Sequence, residues 1–174
     1  MATTGASMET AVRTTAAGRF EDLYAAHGRD AVRLAYLLTG DRSEAEDVAQ
    51  EAFVRLLGKF ADLRKPEVFR AYLMRTVTNL VRSRFRHLAV ERKHAGTVVR
   101  RGDPVQMPDL GARAELGAAL ARLPYRQRAA LVLRYCEDLS EQQTADVLGT
   151  SVKAVKGLVV RGLAHLREQE EVSR

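Results

Sequence analysis

Apolar positions in this chain recur three and four residues apart over long stretches, the signature of amphipathic helices rather than strands. Phe20, Leu23, Tyr24, Ala31, Leu34, Ala35 and Leu38 trace one stripe, and Gly40 supplies a stop. Ser43 followed three residues later by Glu46 has capping-box spacing, so a second helix is expected there, with Ala45, Val48, Ala49, Ala52, Phe53, Leu56 and Leu57 inward. Pro66 suits the first turn of a third helix, with Val68, Phe69, Tyr72, Leu73, Thr76, Val77, Leu80 and Val81 on its buried side. These three helices can form one bundle, preceded by residues 1–18, which read as a disordered tail.

The periodicity fails in residues 95–111, where GTVVRRGDPVQMPDLG concentrates glycine and proline, and a linker is expected. It resumes through Leu116, Ala119, Leu120 and Leu123, breaks at Pro124, and continues through Ala129, Leu131, Val132 and Tyr135. Ser140 and Gln143 form another capping box, Gly149 suits a left-handed stop after Val147 and Leu148, and Thr150 or Ser151 can cap the next helix. That spacing is a tight helix-turn-helix. No alternating pattern bounded by hairpin turns occurs, so the expected fold is all-α: two small helical domains, 19–94 and 112–170, joined by a flexible linker.

At about 100 degrees per residue, the last helix gathers Val155, Val159, Gly162 and Leu166 on one stripe that must face a core. The opposite arc holds Lys153, Lys156, Gly157, Val160, Arg161, Ala164 and Arg167, positive and without a carboxylate. A recognition helix in a major groove has this composition; so does a solvated basic face, and the pattern alone leaves both open. The third helix, RAYLMRTVTNLVRSRFRH, places Arg75, Arg82, Arg84 and Arg86 around its apolar stripe, with aromatic residues and Asn79 interleaved. Phosphate contact and base stacking use such groups, and a carboxamide can pair with an adenine edge. Core packing is the commoner role of aromatics at this spacing, for Tyr72, Phe85 and above all Phe69.

Composition adds the partners and the exclusions. The 174 residues carry a formal charge of +6 and a pI near 9.8, which suits an anionic partner. The charge is unevenly spread: Phe20 to Asp62 has nine acidic and five basic residues, Arg64 to Arg101 eleven basic and two acidic. Cys136 is the only cysteine, which rules out an intramolecular disulfide and fits a reducing cytoplasm; among Leu131, Val132, Leu133 and Tyr135 it reads as a packed residue. No apolar run reaches the roughly 18 residues a membrane span needs, and the N-terminal stretch lacks the basic and apolar regions of a secretory signal. There is no phosphate-loop glycine motif, no HExxH and no GxSxG, and His27, His87, His94 and His165 do not cluster. No catalytic residue, metal site or cofactor is expected.

An acidic amphipathic helix, a basic aromatic-bearing helix, a linker and a helix-turn-helix, in that order, resemble the extracytoplasmic-function group of bacterial RNA polymerase sigma factors, of a kind common in actinobacteria. SEAEDVAQEAFVRLLGKF and FRAYLMRTVTNLVRSRFRH are similar to that family's second region, and LPYRQRAALVLRYCEDLSEQQTADVLG with SVKAVKGLVVRGLAHLR after it to its fourth. The resemblance implies docking of Asp47, Gln50, Glu51 and Val54 on the clamp helices of the beta-prime subunit of core RNA polymerase, with the second domain on the beta flap. It implies contact of Arg75, Asn79, Arg82, Ser83, Arg84 and Arg86 with melted minus-ten DNA, and reading of a flipped base by a loop around Ala89 to His94. It places Lys153, Lys156, Gly157, Val160 and Arg161 at the minus-thirty-five element. Gly157 stands where a small hydroxyl is usual and Leu158 where a basic or amide residue is usual.

The same resemblance implies that the linker threads toward the polymerase active centre, where Asp103 and Asp109 could mimic phosphates, and that a separate anti-sigma protein clamps both domains. On the residues alone, the acidic second helix reads as a solvated face with Glu51 and Arg55 paired four apart. The competing reading of the chain is a stand-alone helix-turn-helix regulator whose first domain senses a ligand or dimerises.

Overall fold

In a computed structural model of the chain, residues 4–57, 66–95 and 111–172 are described, and the regular structure among them is helical. The helices are α1 (Thr4–Thr39), α2 (Arg42–Leu57), α3 (Pro66–Ala95), α4 (Gly111–Ala121), α5 (Tyr125–Leu131), α6 (Glu141–Leu148) and α7 (Val152–Val172), with one π-helical turn, Val132–Cys136, continuing α5. The first three make one unit and the last four another. The linker residues 96–110, Asp103 and Asp109 among them, lie outside the described residues.

The sequence signals land closely, with four corrections to the backbone, while Tyr24, Leu57 and Tyr72, expected on the buried stripes, are instead exposed at 49%, 43% and 47%. Gly40, at φ +78°, ends α1 with its N–H on the Tyr36 carbonyl at 2.8 Å. The second helix is capped not by Ser43 but by Asp41, whose Oδ1 accepts from the Glu44 N–H at 2.8 Å. A carboxylate at the helix start also meets the positive end of the dipole, and Glu46 is drawn instead to Arg42 at 2.8 Å. The first helix begins at Thr4, so the expected disordered tail does not hold: residues 4–18 contain no proline and several alanines, and the helix runs through them. The third helix runs to Ala95, so Ala89 to His94 have helical backbone rather than forming a loop; no proline or glycine interrupts that stretch.

The fourth correction is the π turn. Glu137 N–H bonds the Val132 carbonyl at 3.1 Å and Leu139 N–H the Leu133 carbonyl at 3.0 Å, and Asp138 sits at φ 52° to bring the chain into α6. The extra residue advances the chain beyond it by about 100 degrees relative to a regular helix. Tyr135, expected on the apolar stripe, is therefore 61% exposed, while Glu137 is buried.

Apolar burial supplies the cohesion. Leu34, Leu38, Val48, Phe53, Val77 and Val81 are almost wholly buried in the first unit, and Leu133, Val132 and Val155 in the second. Each such side chain contributes about 1.5–3 kcal/mol. Phe69 is buried in this core, 5.8 Å from the Phe53 ring, so it is a packing aromatic. The buried residues of the two units join in one cluster, because α1 packs against α4, α5 and the π turn, and α3 against α5 and α6.

Candidate nucleic-acid interface

The helix-turn-helix is built as its residues require. Ser140 Oγ accepts from the Gln143 N–H at 3.1 Å while Gln143 Oε1 accepts from the Ser140 N–H at 2.8 Å. Gly149 closes α6 at φ 60°, in the left-handed region that an L side chain adopts only with strain. Ser151 Oγ then accepts from the Ala154 N–H at 3.2 Å and caps α7.

On α7 the expected polarity is realised. Val155 and Gly162 are buried, Val159 and Leu166 half-buried, and Lys153, Lys156, Val160, Arg161, Ala164 and Arg167 exposed, Val160 at 67%. Leu158 is buried in the core and lies off the basic face, so it does not stand among the residues expected to meet DNA. Gly157 is half-buried beneath Arg161; a Cβ there would lie 3.1 Å from the Arg161 Nη1. Lys156 Nζ stands 3.4 Å from Glu141 Oε2 of α6, so one cation of this basic face already has an intramolecular partner.

Helix α7 is held to α5 by close approach. A Cβ on Gly162 would sit 2.8 Å from Leu131 Cδ1 and 3.1 Å from Leu131 Cγ, so glycine lets the two helices meet here. Three residues on, His165 Nδ1 and Gln127 Oε1 pair at 2.8 Å.

On α3, Arg75, Asn79, Arg82 and Arg86 stand at i, i+4, i+7 and i+11, which puts them on one stripe about 16 Å long. The three arginines are exposed, Asn79 is half-buried, Ser83 borders the stripe half-buried, and Tyr72 extends it at 47% exposure. Arg84 turns the other way: its guanidinium lies 3.1 Å from Glu51 and 4.0 Å from Glu44 on α2. Phe85 is also committed elsewhere, with its ring 5.3 Å from Tyr125 and beneath the Arg128 guanidinium at 5.4 Å. The structure thus brings five of the six expected minus-ten residues together and joins the sixth to the acidic helix.

On α2, Asp47, Gln50, Glu51 and Val54 form a stripe at helical spacing, with Val54 61% exposed. Glu51 pairs with Arg55 at 2.6 Å as well as with Arg84, so its carboxylate supports the α2–α3 contact from inside the stripe. Burial pushes the Glu44 carboxyl above its usual range, with Arg84 opposing and Asp41 and Asp47 adding to the rise.

Five functional groups have no signal in the sequence pattern. Glu137, Arg33, Arg70, Tyr125 and Arg128 sit where the two units touch. Glu137 Oε1 is 2.7 Å from Arg33 and Oε2 3.2 Å from Arg70, with the carboxylate side chain 1% exposed. Burial raises its pKa, outweighing Arg33 and then Arg70, with Asp30 adding to the rise. Burial also raises the Cys136 thiol, which Arg33 partly offsets, so this cysteine is not activated. Tyr125, whose hydroxyl donates to the Thr78 carbonyl at 2.7 Å, is held protonated by burial. Among the described residues no group of three or more His, Cys, Asp or Glu could hold a metal ion, and no helix is long and apolar enough to cross a membrane.

Residues 23–90 match the family model for Sigma-70 region 2, and residues 113–166 that for Sigma-70 region 4. The chain is 33% identical over 156 residues to the ECF RNA polymerase sigma factor SigE of Mycolicibacterium smegmatis; the match covers 86% of this chain and 60% of that protein's length. It is 32% identical over 149 residues to the RNA polymerase sigma-E factor of Streptomyces avermitilis, covering 80% of this chain and 78% of the relative. Among solved structures, CnrH in complex with the cytosolic domain of CnrY superposes with a TM-score of 0.64 at 27% identity, over 94% of this chain and 96% of that one.

Proposed function

The chain belongs to the sigma-70 family of RNA polymerase sigma factors, in its extracytoplasmic-function group, and from that premise we propose that it binds core RNA polymerase and directs initiation at promoters with separate minus-ten and minus-thirty-five elements. The observation that carries the reading is the pair of exposed basic stripes on separate units: Arg75, Asn79, Arg82 and Arg86 on α3, and Lys153, Lys156, Val160 and Arg161 on α7. Each lies within the matched region whose role it would serve.

The α7 face enters the major groove at the minus-thirty-five element, with Arg161 and Lys156 near base edges, Val160 against a thymine methyl, Lys153 on phosphate, and Gly157 letting the helix approach closely. The α3 stripe holds the opened minus-ten strand. Holding an extruded base repays a few kcal/mol of lost stacking, which the arginines on phosphate, Ser83, and the Asn79 amide on a base edge supply. Arg84 acts at one remove, by fixing α3 against α2 through Glu51.

Asp47, Gln50 and Val54 on α2 form the docking stripe for the beta-prime clamp helices, while the second unit meets the beta flap. An anti-sigma protein is the expected regulator, and the similar CnrH is solved in complex with the cytosolic domain of CnrY. The chain works in the cytoplasm beside the polymerase and contributes binding and strand separation, with no catalytic residue and no cofactor of its own.

Run-off transcription with core polymerase on a promoter library, with and without this protein, tests the reading. Start sites that depend on the protein and share two spaced elements are expected. Tight dimeric binding to duplex operators with no protein-dependent start site would favour a stand-alone regulator instead.

A further inference from the structure

We infer that the cleft bordered by α1, α2, α4 and the π turn is a binding site for a small aromatic molecule carrying one negative charge. The cleft encloses about 730 Å³, within the roughly 300–1,000 Å³ usual for small-molecule sites, which also favour places where two units meet. None of the residues proposed to meet DNA or polymerase lines it.

The shape follows from the residues around it. Ala25, Gly28 and Val32 of α1 share one helical face, at i, i+3 and i+7, and their short side chains leave a hollow floor. Tyr24 and Tyr36 rise from the same helix, Leu116 comes from α4, and the π turn brings Tyr135 to the edge from the second unit. Among the described residues seven large apolar side chains are exposed. Val54 and Leu57 lie on the proposed docking face of α2, Tyr72 on the α3 stripe and Val160 on α7, so each already has a proposed partner. The other three, Tyr24, Leu116 and Tyr135, border this one cleft. Exposed apolar side chains scattered singly are ordinary, whereas a cluster rimmed by charge marks a place where something binds.

The charges define the ligand. Arg29, Arg33 and Arg42 line the cleft, and Arg42 pairs with Glu46 at 2.8 Å and Arg33 with Glu137 at 2.7 Å. Arg29 is exposed and has no ion pair among the described residues, which leaves one positive charge for a ligand to meet. The three tyrosine rings offer faces and edges for offset or edge-on contact with another ring. An aromatic body with a single carboxylate or sulfonate satisfies both features. A cation would face three guanidiniums, and an aliphatic chain would forgo the ring contacts.

Anilinonaphthalene sulfonate has this chemistry, and phenylnaphthylamine is the same aromatic body without the sulfonate. Fluorescence titration of the full chain is expected to show saturable binding of one sulfonate dye per molecule. Arg29→Gln is expected to weaken the sulfonate dye about fivefold, the upper end for an exposed ion pair, and to leave phenylnaphthylamine unchanged. Tyr135→Ala is expected to weaken both dyes about fivefold through lost ring contact. Both side chains are exposed, so the fold has little to lose, and circular dichroism checks that. Cys136, half-buried, also lines the cleft, so sulfonate dye at about ten times its Kd is expected to slow alkylation of the thiol by iodoacetamide about tenfold. The proposal is overturned if dye binding does not saturate at one per chain, if Arg29→Gln weakens both dyes alike or neither, if Tyr135→Ala changes neither, or if Cys136 alkylates equally fast with dye bound.

Discussion

Glu137 and Arg33 meet across the seam between the two units at 2.7 Å, but unequally: the carboxylate side chain is 1% exposed and the guanidinium side chain 46%. The acid bears the full loss of hydration while the half-exposed arginine, like Arg70, is screened by solvent. The carboxyl pKa consequently rises above its ordinary 4.5.

That imbalance fixes the sign of a pH effect. A carboxyl whose folded pKa is raised favours the folded state fully below the unfolded value, and this advantage is lost as pH climbs through the folded value. Wild type is therefore expected to lose stability relative to Glu137→Gln as pH rises above 4.5 toward neutrality. Asp30, His27, Arg33, Arg70 and Cys136 surround the group and are unchanged in the comparison. Urea midpoints of both proteins between about pH 4.5 and 7.5 check it; a wild type that gains stability on the glutamine variant as pH rises through this range would refute the assignment.

The glycines of α7 supply a second prediction, because one chemical change should have opposite signs five residues apart. Gly157→Ala gains about 1 kcal/mol of helix propensity, and only the flexible tip of Arg161 has to move. Gly162→Ala gains the same propensity but drives a methyl into Leu131 at 2.8 Å inside the core. Overpacking costs about 1–3 kcal/mol, so the second variant is expected to be the less stable by about 1 kcal/mol or more. Thermal melts of the two variants decide this directly.

The elements legible in the sequence are those set by local rules. The capping box at Ser140, the stop at Gly149 and the apolar stripe of α7 depend on residues within one or two turns, and the structure reproduces them. Leu158 misleads because the family pattern offers a polar role, while its own position three residues beyond Val155 places it inward. The seam is illegible for a different reason. Glu137 looks like a solvated helix-end carboxylate until a π turn rotates it inward, and its partners stand 104 and 67 positions away. Arg84 likewise belongs by spacing to a basic helix, and only the packing of α2 on α3 gives it Glu51.

The proposed docking stripe on α2 contains an internal control for polymerase binding. Asp47 is exposed, whereas Glu51 pairs with Arg55 and Arg84. Asp47→Lys is expected to weaken binding of core polymerase at least tenfold while leaving the melting temperature within the scatter of surface substitutions, about 0.5 kcal/mol. Glu51→Lys faces two arginines with a third cation and is expected to lower stability by about 1 kcal/mol or more as well. Pull-down of core enzyme alongside thermal melts separates the two effects; equal stability losses would mean the Glu51 contacts are incidental.

The basic face of α7 predicts unequal roles for its two central cations. Arg161 is exposed with a guanidinium free to swing off Gly157, while Lys156 has to leave Glu141, 3.4 Å away, before it can reach DNA. If Arg161 makes a base contact, Arg161→Ala costs about 1–3 kcal/mol of minus-thirty-five-dependent binding and relaxes the preference at one base pair. Lys156→Ala should cost less, because the wild-type lysine gives up an ion pair of a few tenths of a kcal/mol on binding. Glu141→Gln should do the reverse, strengthening binding by a similar few tenths through release of Lys156 and removal of a carboxylate beside the groove. Promoter binding by the polymerase holoenzyme, measured as a function of salt, distinguishes the roles: a cation that meets only phosphate lowers the salt slope by about 1 uniformly across sequences, whereas loss of a base contact changes which sequences bind. A Lys156→Ala defect as large as that of Arg161→Ala would show that the Glu141 pair does not compete.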